Sequence, residues 1–155
     1  MNFYWPDKEY IVGNATELDT PDWRERWSNF SPYELADDQG YVIVLVAALD
    51  ALQALRAEIG LPFNINSAYR NSEHNKRVGG GVRSMHLFGH AFDVSLRVKD
   101  GVFHSGAELE KLVRKHGFNG IGRYPTNLAE GKNGFIHIDM RSRAAAWGPA
   151  NWRSK

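Results

Sequence analysis

The chain contains no cysteine. Disulfide frameworks, thiolate zinc fingers, iron–sulfur clusters and cysteine nucleophiles are thereby excluded, and any metal must rest on histidine, aspartate, glutamate or backbone oxygen. An excess of one charge is missing as well: 19 Lys and Arg stand against 18 Asp and Glu, a net charge of +1. Proteins that bind nucleic acid by neutralising phosphates carry a clear basic surplus, so no nucleic-acid partner is expected. No apolar run approaches the roughly 18 residues of a membrane span; the longest runs from Val42 to Leu49. The N-terminus, MNFYWPDKEY, lacks the basic and then apolar order of a secretory signal, so synthesis in the cytoplasm is the expectation. Internal repeats and low-complexity tracts are absent too.

What remains is an ordinary globular balance. The 155 residues are 43% hydrophobic and 24% charged, which suits one domain with a true core. A monomer is the expectation. Residues 1–29 are polar and aromatic, with Trp5, Trp23 and Trp27 but no period. They are expected to form an arm packed on a single domain over residues 30–155.

Ser31-Pro32-Tyr33-Glu34 reads as a capping box with proline at the first helical position, so a short helix starts there. From Tyr41 to Ile59, apolar residues at Val42, Leu45, Val46, Leu49, Leu52, Leu55 and Ile59 predict one long core helix, stopped by Gly60 and Pro62. Phe63–Ser67 alternates as a strand, residues 71–84 read as loop, and Phe92–Val98 reads as a second strand. A capping box at Ser105–Glu108 opens a helix that Gly117 ends. Phe118–Tyr124 should be extended, and Phe135–Met140 alternates as a third strand with His137 and Asp139 on one face. Helices and strands mix without regular βαβ order, which predicts an α+β fold with a small antiparallel sheet flanked by helices.

The chemistry concentrates in Ser84-Met85-His86-Leu87-Phe88-Gly89-His90-Ala91-Phe92-Asp93. A turn permitted by Gly89 brings the His86 imidazole and the Asp93 carboxylate around one ion, and both are competent zinc ligands. A catalytic zinc needs a third protein ligand, and His137, mid-strand in an apolar alternation, is the best candidate. Six histidines compete for these roles. His74, His104 and His116 are better explained by turns, caps and helix ends. His90 is either a surface imidazole or a substrate contact. Tyr124, Trp147 and Trp152 are candidates for a peptide or glycan groove, with packing the simpler role. The three glycines Gly79 to Gly81 lack the phosphate-loop pattern and are expected to let the chain turn tightly before the metal motif.

Ser84, His86, Gly89, Ala91 and Asp93 match SxHxxGxAxD, the signature of the M15 family of zinc D-Ala-D-Ala peptidases, which the chain therefore resembles. At average residue usage these five positions recur by chance about once in ten thousand such chains. The resemblance extends over about residues 30–147. Ile65-Asn66-Ser67-Ala68-Tyr69-Arg70 is similar to the family's strand ending in SGYR, and NSEHNKRVGG (71–80) to its SPEHNxxVGG loop. Gly120–Pro125 with Phe135–Asp139 is similar to GIGxYP…FVHVD. The likeness is greatest to the branch of phage lysis proteins and murein endopeptidases.

The resemblance implies a hedgehog/D-Ala-D-Ala-peptidase-like fold and one Zn2+ held by His86, Asp93 and His137. It also implies cleavage of a peptide bond in the peptidoglycan stem or cross-bridge, by a D,D-carboxypeptidase or endopeptidase acting on the cell wall, after release through a holin where the setting is a phage. Arg70 matches the family's arginine and is expected at the developing oxyanion. Ser84, His90 and Tyr124 are expected to contact substrate. Several relatives carry an acid three residues before the last ligand, where this chain has Gly134. The expected general base is instead Asp139, about 7 Å along the strand on the His137 face, with an imidazole-orienting role as its alternative and Glu130 as a second candidate. A non-catalytic module of the same fold, binding peptidoglycan or serving a phage particle, is the competing reading.

Overall fold

The computed structural model describes residues 8–96, 107–125 and 134–149. Among the described residues, seven strands and six α-helices alternate irregularly in the α+β manner expected. The chain begins with β1 (Tyr10–Asn14), α1 (Ala15–Leu18) and α2 (Pro21–Arg26). Thr20 caps α2, and Pro21 fills its first position, where a missing N–H costs nothing. Trp23 and Trp27 are buried, their rings meeting edge to face at 4.7 Å. Both indoles have acceptors: Trp23 donates to the Phe30 carbonyl and Trp27 to Asp50, each at 2.8 Å.

The expected capping box is present at α3 (Pro32–Leu35): Ser31 accepts from the Glu34 amide and Glu34 from the Ser31 amide. The long helix expected from Tyr41 is divided. Tyr41–Leu45 is a strand, β2, which pairs antiparallel with β1, and α4 begins only at Val46 and runs to Ile59. The apolar spacing was compatible with a helix throughout. The β-branched run Val42-Ile43-Val44 instead follows its strand preference and buries Val42 and Val44 on one face. Helix α4 contributes Leu49, Leu52 and Leu55, all buried, each adding on the order of 2 kcal/mol of hydrophobic stabilisation. It ends on Gly60 in the left-handed region.

Five further strands form the main sheet in the order β3-β4-β6-β5-β7: β3 (Phe63–Ser67), β4 (Ala91–Leu96), β5 (Gly120–Tyr124), β6 (Phe135–Asp139) and β7 (Ala145–Trp147). All its pairings are antiparallel except β5 with β7. The segment read as loop over 71–84 contains a helix, α5 (Ser72–Arg77), because the Asn71 side chain caps it by accepting from the His74 amide. A 3-10 helix, Met85–Phe88, leads into β4, and α6 (Ala107–Lys115) precedes β5. The end of the second predicted strand and the cap at Ser105 lie outside the described residues.

Register carries the functional consequence. In the β4–β6 pair Asp93 stands opposite His137, and in the β5–β6 pair Gly122 stands opposite His137 and Gly120 opposite Asp139. Side chains directly opposite share a face, so this pleat turns residues far apart in sequence toward one spot. The two glycines make room there. A Cβ on Gly120 would lie 2.1 Å from Asp139 Oδ1, and one on Gly122 would lie 2.6 Å from the Trp147 indole nitrogen. Gly120→Ala is therefore expected to lose about 1–3 kcal/mol of stability. Gly81→Ala, at a position with nothing within 4 Å, should stay within about 0.5 kcal/mol of the parent. Chemical denaturation of the two variants checks the contrast.

Candidate metal centre

His86 is placed by a short, heavily determined turn. Ser84 Oγ accepts from the His86 amide at 3.3 Å and starts the 3-10 helix, while Gly89, at φ +71°, ends it. Gly89 is required twice over, since a Cβ there would also sit 2.3 Å from the Ile43 carbonyl oxygen of β2. Asp93 follows on β4 and His137 faces it from β6.

Three atoms converge. His86 Nε2 lies 3.1 Å from Asp93 Oδ1 and 3.2 Å from His137 Nδ1, and His137 Nδ1 lies 3.0 Å from Asp93 Oδ1. The remaining nitrogens fix the tautomers. His86 Nδ1 is 2.7 Å from the Ala68 carbonyl, which can only accept, so that nitrogen carries the proton. His137 Nε2 likewise donates to Asp139 Oδ2 at 2.7 Å. Neutral imidazoles held this way present bare lone pairs at His86 Nε2 and His137 Nδ1, beside a carboxylate oxygen. Three acceptors in contact repel unless a cation, a metal ion or a proton, lies among them. A tetrahedral ion with ligands at about 2.0–2.1 Å has ligand–ligand edges of about 3.3–3.4 Å, close to the triangle observed. The donor set of two imidazoles and a carboxylate suits zinc, and all three residues are buried.

The electrostatics agree. Burial pushes the Asp93 carboxyl up, yet its contacts with His137 and His86 outweigh this and keep it ionised below the usual carboxylate range. Burial pushes His137 down, but Asp139 and Asp93 outweigh that and raise its affinity for a proton. A field that draws a proton to this point draws a metal ion too, and the metal displaces the proton on binding.

Arg70, Ser84 and Tyr124 line the same cavity of about 380 Å³ as the three converging side chains. Arg70 gives Nη2 to Asp93 Oδ2 at 2.9 Å and Nε to Ser67 Oγ at 2.9 Å, so its guanidinium fixes the carboxylate whose other oxygen faces the centre. Tyr124 stacks on Phe135 with ring centroids 4.5 Å apart and accepts from the Trp147 indole at 3.0 Å. Gly79 to Gly81 form part of the rim.

Two residues expected at the site stand apart from the cavity wall. Asp139, the expected base, is fully buried and does not line the cavity. Its Oδ2 meets His137 Nε2 and Arg141 Nη2, and its Oδ1 accepts from Arg141 Nε at 2.8 Å and the Arg141 amide at 3.1 Å. Burial pushes this carboxyl up, but His137 and Arg141 hold it below the usual range, and it stands behind His137 in the position of an orienting anion. His90, expected at the substrate, is buried away from the cavity, stacked with Tyr10 at 5.6 Å and bonded to the Tyr10 hydroxyl at 2.6 Å. Glu130 lies outside the described residues, and Asp93 is the one carboxylate among the described residues lining the cavity.

Arg141 and Asn75 were not foreseen. Arg141 continues the His137, Asp139 alternation by one step, so extending the period of two past the strand would have found it. Asn75 is buried, receives Arg70 Nη1 at 3.4 Å and donates to the Gly81 carbonyl at 2.9 Å, tying the glycine rim to Arg70.

Burial pushes His90 down to about 4 from its ordinary 6.5, with the Asp139 charge working against it. Unfolding therefore takes up a proton between those values, so His90 favours the folded state fully above pH 6.5 and progressively less as pH falls toward 4. His137, whose affinity is raised, acts on metal-free protein above pH 6.5, outside this window. His90→Gln should flatten the loss of stability between pH 6.5 and 4, read from denaturation midpoints of both proteins across that range. An unchanged slope would mean that His90 is charged in the folded protein.

Comparison with known proteins agrees with this geometry. The chain is 36% identical over 72 residues to the zinc D-Ala-D-Ala carboxypeptidase of Streptomyces albus G, a match covering 45% of this chain and 26% of that protein. The shared region is thus about a quarter of the relative's length. A family model described as Peptidase M15 matches residues 26–139, which take in all three converging side chains. The chain belongs to the peptidase M15 family.

Proposed function

We propose that this protein is a zinc peptidase that hydrolyses a peptide bond in the stem or cross-bridge of peptidoglycan, with His86, Asp93 and His137 holding the ion. The observation that carries the reading is the triangle of three metal-competent atoms at 3.0–3.2 Å, each held from behind by its own partner. Membership of the peptidase family and the likeness to a zinc D-Ala-D-Ala carboxypeptidase support the substrate class.

Held by His86, Asp93 and His137, a zinc ion would supply Lewis-acid chemistry, a water acidified toward about pKa 7 and polarisation of the scissile carbonyl. The chain's own residues do the rest. Arg70 holds Asp93 and brings positive charge to the cavity wall, where it favours a developing oxyanion. Asp139 orients His137 and keeps its proton on Nε2. Tyr124 accepts from Trp147, which leaves its own O–H to donate to a bound peptide. Ser84 lines the same wall. The finer reading, an endopeptidase acting on the cell wall in phage lysis, rests on the motif resemblance.

The test is digestion of purified sacculi by the zinc-loaded protein, with His86→Ala in parallel and zinc content measured on both. The parent should release muropeptides whose masses name the bond, and the variant should lose both metal and activity. A folded, zinc-loaded parent that releases nothing would transfer the protein to the non-catalytic reading. Asp139→Asn should weaken zinc binding by about 10- to 100-fold, measured by chelator competition. Unchanged zinc affinity with lost hydrolysis would restore Asp139 to the role of base.

A further inference from the structure

The cavity holds a cation that the metal centre uses by only one edge. Arg141 applies its Nε–Nη2 edge to Asp139, with contacts of 2.8 and 2.6 Å. Its guanidinium lies over the Trp147 ring at 4.8 Å, which fixes the plane. In a guanidinium, Nη1 and the second Nη2 hydrogen form another edge, directed away from the first. Nη1 has no protein partner among the described residues, the side chain is 35% exposed, and Arg141 lines the cavity together with His86, Asp93 and His137. Arg70, on the opposite flank, differs: three contacts occupy it and its side chain is 13% exposed.

A second guanidinium edge beside a metal centre, rigid and open, is shaped for a carboxylate. The described lining carries no anion besides Asp93, which Arg70 and the centre already engage, so an anionic ligand meets no competing carboxylate there. We propose that Arg141 is the specificity residue that anchors a free carboxylate on the amine side of the scissile bond. The substrate class is then a peptide whose leaving residue keeps its carboxylate, at a chain end or beside a cross-link amide. The inference rests on the peptidase reading above and narrows it. Arg141 does double duty: one edge steadies Asp139 and through it His137, and the other grips substrate.

The experiment compares an acetylated tripeptide ending in D-Ala-D-Ala with the same peptide as its C-terminal amide. The parent should favour the free acid by about tenfold or more in kcat/KM. Arg141→Gln should bring acid and amide near equality, while Asp139→Asn, which also breaks the Arg141–Asp139 pair, should keep the preference. A merely structural Arg141 would make the two variants behave alike. Calorimetry on metal-stripped parent and Arg141→Gln reads the same preference as binding, without hydrolysis. A cross-linked muropeptide dimer, analysed by product mass, separates the chain-end source of the carboxylate from the cross-link source.

Equal handling of acid and amide by the parent overturns the proposal. So does a preference that survives Arg141→Gln or disappears in Asp139→Asn. If the parent cleaves neither peptide but binds the acid through Arg141, the peptidase reading fails and the anchor stands.

Discussion

The structure turns on a repulsion. Two imidazole nitrogens and a carboxylate oxygen are held within 3.2 Å of one another, an arrangement that costs energy unless a metal ion or a proton lies among them. The surrounding protein prevents that strain from relaxing. The Ala68 carbonyl stops His86 from turning, Asp139 stops His137, and Arg70 stops Asp93. Two of these partners, Ala68 and Arg70, follow β3 and the third, Asp139, lies on β6, so two segments far apart in sequence brace the three side chains. Rigidity of this kind makes a ligand set selective for small ions that accept tetrahedral geometry.

Much of this was legible because the chemistry sits in local pattern. Ser84, His86 and Gly89 belong to one turn, and the residues that build a 3-10 helix and end it with a positive φ are the ones that spacing picks out. The strand of Phe135–Asp139 was readable from its alternation, and so His137 and Asp139 were known to share a face. What spacing could not supply was depth. Asp139 and His137 point the same way, but the glycine opposite each decides what fills the space between strands, and at Gly120 it is the Arg141 guanidinium. That contact encloses Asp139 behind His137.

The misread segments have a similar cause. Val42 to Leu49 satisfies helix periodicity, yet its first residues are β-branched and find a partner strand in Tyr10–Asn14, a pairing that no local pattern announces. The surroundings of His90 have the same origin. In sequence His90 lies between His86 and Asp93, but its neighbour in space is Tyr10, eighty positions earlier and brought near by the strand that pairs with β2. Long-range pairing therefore decided both the element type at residues 41–45 and the surroundings of a histidine inside the signature.

Charge balance links the centre to its cavity. Asp93 and Asp139 are both buried, and each is matched by an arginine, Arg70 and Arg141. Removing either arginine would leave a buried carboxylate uncompensated, which is far more costly than losing an exposed ion pair. With both pairs intact these four side chains sum to zero, so a divalent ion leaves the floor of the cavity positive. Stability alone would be served by two arginines equally enclosed. They are not: Arg70 is spent on its neighbours, whereas Arg141 is braced against Trp147 and keeps one edge without a partner among the described residues. The same pairing rule thus yields a framework residue on one side of the centre and, on the other, a cation placed to read what enters.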